Sequence, residues 1–206
     1  MMRPSDLPHA RLHHQRLTSP QFRKPVEVVR WLGAVQAQEY GPAKWAIGQR
    51  MRSATDDVVE RAFAEGSILR THVLRPTWHF VAPEDIRWML ELTGPRVKAT
   101  IASYARTVSL DEATFKRSQK VLATALRGGR QLTRSALRQT FQRAGLSTDG
   151  IRSILMLMRA ELDGLICSGG QPRGRQCEQH GGQGTDAALH RVSYQHFHSN
   201  YSSCDW

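Results

Sequence analysis

The 206-residue chain has few cysteines, no long apolar run and one long stretch with no acidic side chain. Its three cysteines, Cys167, Cys177 and Cys204, are odd in number, which points to free thiols rather than a disulfide framework. The Cys and His residues toward the end, Cys177, His180, His190, His196, His198 and Cys204, fit no zinc-module spacing, so neither a metal nor another cofactor is expected. No apolar run approaches the ~20 residues of a membrane span, and the N-terminus has no apolar core of a signal peptide. These absences predict a cytoplasmic protein without membrane contact, and no obligate protein partner is expected.

What is present is positive charge. Lys and Arg number 29 against 18 Asp and Glu, for a formal net charge of +11 and a sequence pI near 10.4. Such a balance favours polyanionic partners, because neutralising phosphates releases their condensed counterions. Distribution matters more than the total. Between Phe115 and Thr148 lie Lys116, Arg117, Lys120, Arg127, Arg130, Arg134, Arg138 and Arg143, and no Asp or Glu stands among them to pair at i,i+4. A solvated helix face is one reading of this run and a phosphate-contacting face is the other. Arg130, Arg134 and Arg138 are four apart and line one face if their helix reaches back to Arg130.

The pattern along the chain is mostly helical with short hairpins. A helix from about Pro25 to Gln38 precedes Gly41-Pro42, with Val28, Val29, Leu32 and Val35 on one face. Gln36 lies about 80° from Val28 on that helix, inside the apolar arc, which predicts half-burial. Asp57 and Glu60 have capping-box spacing for a helix ending at Gly66. The stretch Ile68 to Val81 is rich in strand formers around Pro76, which marks a turn, giving helix, helix, hairpin. Pro83 opens a helix that Thr93-Gly94-Pro95 is expected to stop, and another follows through Val97, Ile101, Tyr104 and Val108.

From Ser109 the pattern repeats. Ser109 or Asp111 caps a helix reaching Leu126, Gly128-Gly129 breaks it, Thr133 caps the next and Gly145 ends it. Ser147 is expected to cap a third, striped by Ile151, Ile154, Leu155, Met158 and Leu162, before the strand Leu165-Ile166-Cys167 and a loop holding Arg173 and Arg175. The fold class expected is mainly α with short β-hairpins: two tandem winged helix-turn-helix modules, 1–108 and 109–176, and a disordered tail, 177–206.

Two segments carry the most chemistry. One is Val35-Gln36-Ala37-Gln38, and the other is Leu69-Arg70-Thr71-His72-Val73-Leu74-Arg75-Pro76-Thr77-Trp78-His79-Phe80-Val81. With the upstream helix, they make the stretch from about Arg11 to Gly170 resemble the AlkZ-like (YcaQ-like) winged-helix DNA glycosylases. Members carry a glutamine, apolar residue, glutamine motif or an aspartate variant of it, and Gln36-Ala37-Gln38 fits the first. The resemblance implies tandem winged helices around a basic channel, double-stranded and alkylated DNA as the partner, and Gln36 and Gln38 as catalytic residues holding the attacking water. An alkylated base that carries positive charge is a good leaving group and needs little general-acid help. An amide oxygen can accept from a water but takes up no proton near pH 7, so a glutamine-only site suits labile adducts. Lys44 is the only lysine near the motif, which favours water over a Schiff base as nucleophile.

Candidate DNA contacts are Arg70, His72 and Arg75 on the hairpin, Arg127, Arg130, Arg134 and Arg138 in the basic run, and Arg173 and Arg175 in the second wing. Trp78 and Phe80, alternating on a strand, read as core, and His72 and His79 as structural histidines. In the bland alternative the glutamines bond backbone and the chain is a non-catalytic DNA-binding module or regulator; the fragment of a decayed gene is a third reading. The tail after Gln176 lacks alternation, is rich in His, Gln, Ser and Gly, and is expected to be a truncation or shifted-frame product that leaves the second wing without its return strand.

Overall fold

The computed structural model describes residues 6–170 and, as a strand, 192–196. Arg173, Arg175, Cys177 and Cys204 lie outside the described residues. After α1 (Leu7–His14), a first unit runs α2 (Pro25–Leu32), β1 (Ala34–Gln36), α3 (Tyr40–Gly48), α4 (Asp56–Ala64), β2 (Leu69–His72) and β3 (Trp78–Val81). The long α5 (Ile86–Thr107) leads to a second unit: α6 (Glu112–Ala125), β4 (Gln131–Thr133), α7 (Arg134–Arg143), α8 (Arg152–Leu162), β5 (Ile166–Gly170) and β6 (Val192–His196). The fold is therefore mainly helical with a small antiparallel sheet, and helix, strand, helix, helix, strand, strand occurs twice.

Pairing repeats with the order. In the first unit β3 lies between β1 and β2, and in the second β6 lies between β4 and β5. A β2–β5 contact at Arg70 and Ser168 joins the halves into one sheet, β1-β3-β2-β5-β6-β4. The sequence predicts a second unit without a return strand, and β6 corrects this, pairing Ile166 with His196 and Gly170 with Val192.

Two cores flank the sheet. Val28, Val29, Val35, Ala37, Ile47, Phe63 and Phe80 form one, where the Tyr40, Phe63 and Phe80 rings meet with centroids 5.6 to 5.9 Å apart. Burying each such ring contributes about 1.5–3 kcal/mol. The larger core joins Leu69, Val73 and Val81 of the first hairpin to α5, α6, α7 and α8. Trp78 and Phe80 are core residues, as their alternation predicts.

Several boundaries differ from the sequence reading. The helix expected through Gln38 ends at Leu32, where Gly33 adopts φ +74°, and the next residues form a strand. Ala34-Val35-Gln36-Ala37-Gln38 also fits period two, and the strand buries Val35 and Ala37 while exposing both glutamines, so Gln36 is not half-buried. The stop expected at Thr93-Gly94-Pro95 is overridden. α5 runs through Pro95 because its apolar face continues through Met89, Leu90, Gly94, Val97 and Ile101. Gly94 lets α5 approach the end of α8: a Cβ there would stand 3.4 Å from the Leu162 carbonyl.

The capping-box pair Asp57 and Glu60 is not used as one. Thr55 takes the cap position, and Glu60 turns to Tyr40 and Lys44. Asp111 and Thr133 cap α6 and α7 as expected, accepting from Thr114 N–H at 2.8 Å and Ala136 N–H at 3.2 Å. Ser147 does not cap α8, whose cap position is Ile151; its hydroxyl donates to Asp149 instead. Arg130 precedes β4 and so does not share a helical face with Arg134 and Arg138.

Candidate hydrolytic site and nucleic-acid interface

Gln36 ends β1, at one edge of the sheet, Gln38 follows just past the strand, and both are exposed. The ladder continues one step past β1, as Ala37 N–H donates to the Trp78 carbonyl at 2.7 Å. Trp78 N–H then donates to the Gln38 side-chain Oε1 at 3.4 Å, so an amide ends the ladder where a backbone carbonyl would otherwise serve.

The backbone between the two glutamines is clamped from below. Arg70, 1% exposed, donates from Nε and Nη2 to the Ala37 carbonyl at 3.0 and 2.8 Å. Its guanidinium stacks 4.5 Å from the Trp78 ring centroid. Trp78 Nε1 donates to Glu161 Oε1 at 3.4 Å, and the other oxygen of that carboxylate accepts from His72 N–H at 3.0 Å and contacts His72 Nδ1. Glu161 is fully buried and belongs to α8. A continuous polar chain thus runs from the second unit to the motif. Its members satisfy one another, as buried polar groups must.

Arg70 and His72, expected at a DNA surface, are therefore interior residues, and the correction has a simple cause. β2 is an inner strand, with β3 and β5 on its two edges, and all four of its residues are buried. Arg70 lies against the Ala37 carbonyl and the Trp78 ring, and His72 against Glu161 of α8. The sequence reading also misses Glu161, although a signal exists. It sits three residues after Met158 and seven after Ile154, on the apolar stripe of α8, where a lone carboxylate requires donors.

On the opposite face of β3, His79 pairs directly across from Gln36 on one side and Thr71 on the other. His79 Nδ1 lies 2.9 Å from the Thr77 carbonyl, which only accepts, so Nδ1 carries the proton and Nε2 the lone pair. Burial holds its pKa below the ordinary histidine value against that hydrogen bond, with Arg75 and His72 opposing protonation further. Thr71 Oγ1 and Thr77 Oγ1 are buried without a partner.

Lys44 is not an available amine. It is buried, and its ammonium reaches Asp56 at 2.7 Å and Glu60 at 2.8 Å. Burial works to lower its pKa, but the two carboxylates outweigh it and leave the value raised. Among the described residues no group of three metal-ligating side chains comes together.

The remaining predicted DNA contacts fall into two sets. Arg75 is exposed at the tip of the first hairpin beside Leu74, which adopts φ +65°. Arg127, Arg134 and Arg138 retain exposure in the second unit, and Arg130 is exposed while donating to the Thr124 and Arg127 carbonyls at the end of α6. Arg134 opens α7, whose first turn holds no acidic residue. A cation there opposes the helix dipole, which a bound phosphate would offset. Arg117 is a structural cation, donating to the Ala144 carbonyl. β1 and β4 are opposite edges of the sheet, five strand steps or about 24 Å apart along it. The glutamines and the basic unit therefore do not share a small pocket; they lie within one turn of duplex, about 34 Å.

The doubled three-helix, three-strand unit has a solved counterpart. The DNA glycosylase AlkZ of Streptomyces sahachiroi matches with a TM-score of 0.68 at 21% identity, over 95% of this chain and 49% of that one. At that identity the likeness is one of fold, and the chain spans about half the length of that relative. No curated protein matches the sequence. The model of the family described as DNA glycosylase AlkZ-like matches residues 29–197, and the chain belongs to that family. The match extends past Gln176, where the sequence reading places the end of the fold.

Among the described residues no helix is long and apolar enough to cross a membrane.

Proposed function

We propose that the chain binds duplex DNA through two tandem winged helices, α2 to β3 and α6 to β6, and that it is a monofunctional DNA glycosylase that excises alkylated bases. The observation that carries this reading is the pair Gln36 and Gln38, both exposed at one edge of the sheet, with the carbonyl of Ala37 between them held by buried Arg70. Exposed glutamines ordinarily need no such support. Rigid backbone beneath two amides is what positioning a water against a sugar carbon requires.

In this reading the α7 and hairpin cations, Arg134, Arg138, Arg127 and Arg75, contact phosphates and set register without reading sequence. Arg130 adds charge while tied to α6. The amide oxygens of Gln36 and Gln38 orient water toward C1′ of the damaged nucleotide. The departing base takes the bonding pair, which neutralises the positive charge of an alkylated ring. Lys44, held by two carboxylates, forms no Schiff base, so borohydride traps no enzyme–DNA adduct.

The test is abasic-site formation in duplex DNA carrying N-alkylated purines. Gln36→Ala and Gln38→Ala are each expected to reduce excision while leaving binding nearly unchanged, since the amides act in the transition state. Full activity in both variants refutes the site. A second reading, a non-catalytic DNA-binding module with structural glutamines, is favoured by one observation: the Gln38 amide oxygen already accepts from Trp78 N–H. Salt-dependent binding without excision by the wild type selects it.

A further inference from the structure

The glutamines leave a chemical gap, since an amide holds water but does not remove its proton. The row across the sheet places a candidate beside them. Gln36, His79 and Thr71 are register partners on β1, β3 and β2, so their side chains share one face, and directly opposed Cβ atoms lie about 4.5–5.5 Å apart. His79 is oriented by the Thr77 carbonyl, and its Nε2 meets no donor or acceptor of the described residues. Nor is Nε2 among the sealed, unpartnered polar atoms, which include Thr71 Oγ1 on this row and Thr77 Oγ1 two residues before His79. A histidine with one nitrogen committed to a backbone carbonyl and the other without a partner among the described residues, one strand away from an amide, has the arrangement of a general base with its orienting partner.

Resting on the reading above, we infer that His79 is the general base for the water that Gln36 and Gln38 hold. As the water oxygen bonds to C1′ and the C1′–N bond breaks, the electron pair leaves with the base and the water proton passes to Nε2. The imidazolium then returns that proton to solvent. Charge around His79 suits the role. Arg75 on the hairpin and His72 on β2 disfavour its protonated form, and His72 is itself engaged by Glu161 of α8. β1 brings only amides, and of the charged groups on α2, Arg30 pairs with Glu84 while Glu27 accepts from Arg23 and Lys24 N–H. His79 is thus neutral and ready to accept at neutral pH.

The test compares His79→Asn and His79→Gln with the wild type. Asparagine keeps a donor where Nδ1 stands and glutamine keeps a polar group where Nε2 stands, but neither accepts a proton. Single-turnover excision should fall about 100-fold in both, the low end for general base catalysis, with DNA affinity within about twofold. Wild-type excision should be level through neutral pH and fall tenfold per unit below the His79 pKa, whereas both variants should show no such limb. Nitrogen-15 shifts of His79 in the full chain should report the Nδ1–H tautomer, neutral at pH 7. Excision and pH profile unchanged in the variants, or an Nε2–H tautomer, overturns the role of His79 while leaving the glutamine site intact. No excision by the wild type at any pH overturns the catalytic reading itself, and this role with it.

Discussion

The two units share an order of elements and a pairing scheme, yet they differ in how their charges are used. In the first, cations are spent internally: Arg70 holds a carbonyl, Lys44 two carboxylates, and Arg30 pairs with Glu84. In the second, the run from Lys116 to Arg143 has no acidic residue, and most of its arginines face outward. The same framework therefore carries a precise, low-charge edge in one copy and a cationic surface in the other. On the proposed reading, charge for phosphates needs no exact placement whereas a water-holding site needs a fixed backbone, and the separation would let each unit meet its own demand.

The strongest way to break this comparison is at the joint. Glu161→Ala leaves His72 N–H, His72 Nδ1 and Trp78 Nε1 without their acceptor in the interior and should cost about 3–5 kcal/mol in chemical denaturation. A loss below about 1 kcal/mol would show that the two units do not depend on this network. Next in size is the binding contrast. Arg127→Glu, Arg134→Glu and Arg138→Glu together should weaken duplex binding on every sequence alike and lower the salt-dependence slope by about 0.9 per lost contact. Arg75→Glu alone in the first unit should do so far less, and equal effects would erase the division.

The smallest expected effect is one of pH. Asp163, at the end of α8, has a lowered pKa although burial works to raise it, because Lys98 and Arg159 hydrogen-bond its carboxylate and outweigh burial. Its folded value lies below its unfolded value of about 3.9. The stability it contributes is present above the unfolded value and lost as pH falls through the folded one. Urea midpoints between pH 5 and pH 2 should therefore drop less for Asp163→Asn than for the wild type.

Much of the framework is legible in sequence because its signals are local. Asp111 and Thr133 precede their helices with side chains that reach the first free N–H groups, and the Ile68 to Val81 stretch announces a hairpin through its β-formers and Pro76. What escapes depends on partners distant in the chain. Val35-Gln36-Ala37-Gln38 satisfies period 3.6 with the helix before it and period 2 by itself, and only pairing with Trp78 to Phe80 decides between them. Pro95 reads as a stop because its local cost is visible while the apolar face that carries α5 past it is not. Arg70 and His72 look like surface cations because nothing nearby says that the Ala37 carbonyl and Trp78 will take up the one and Glu161, on α8 far along the chain, the other. Of the site, the glutamines are legible by motif; their support by Arg70 and the row they form with His79 are products of the sheet.

The sheet's outer strands have a further consequence, for how copies of the molecule behave together. A six-stranded sheet ordinarily presents two free edges to which another chain can add a strand, the first step toward fibrils. Here both are only three residues long, Ala34–Gln36 and Gln131–Thr133. One gives way to a side-chain amide bonded to Trp78 and the other to the first turn of α7. Each offers too few backbone groups to template a neighbour, so the brevity that brings the glutamines to a rim also keeps the protein from polymerising along it.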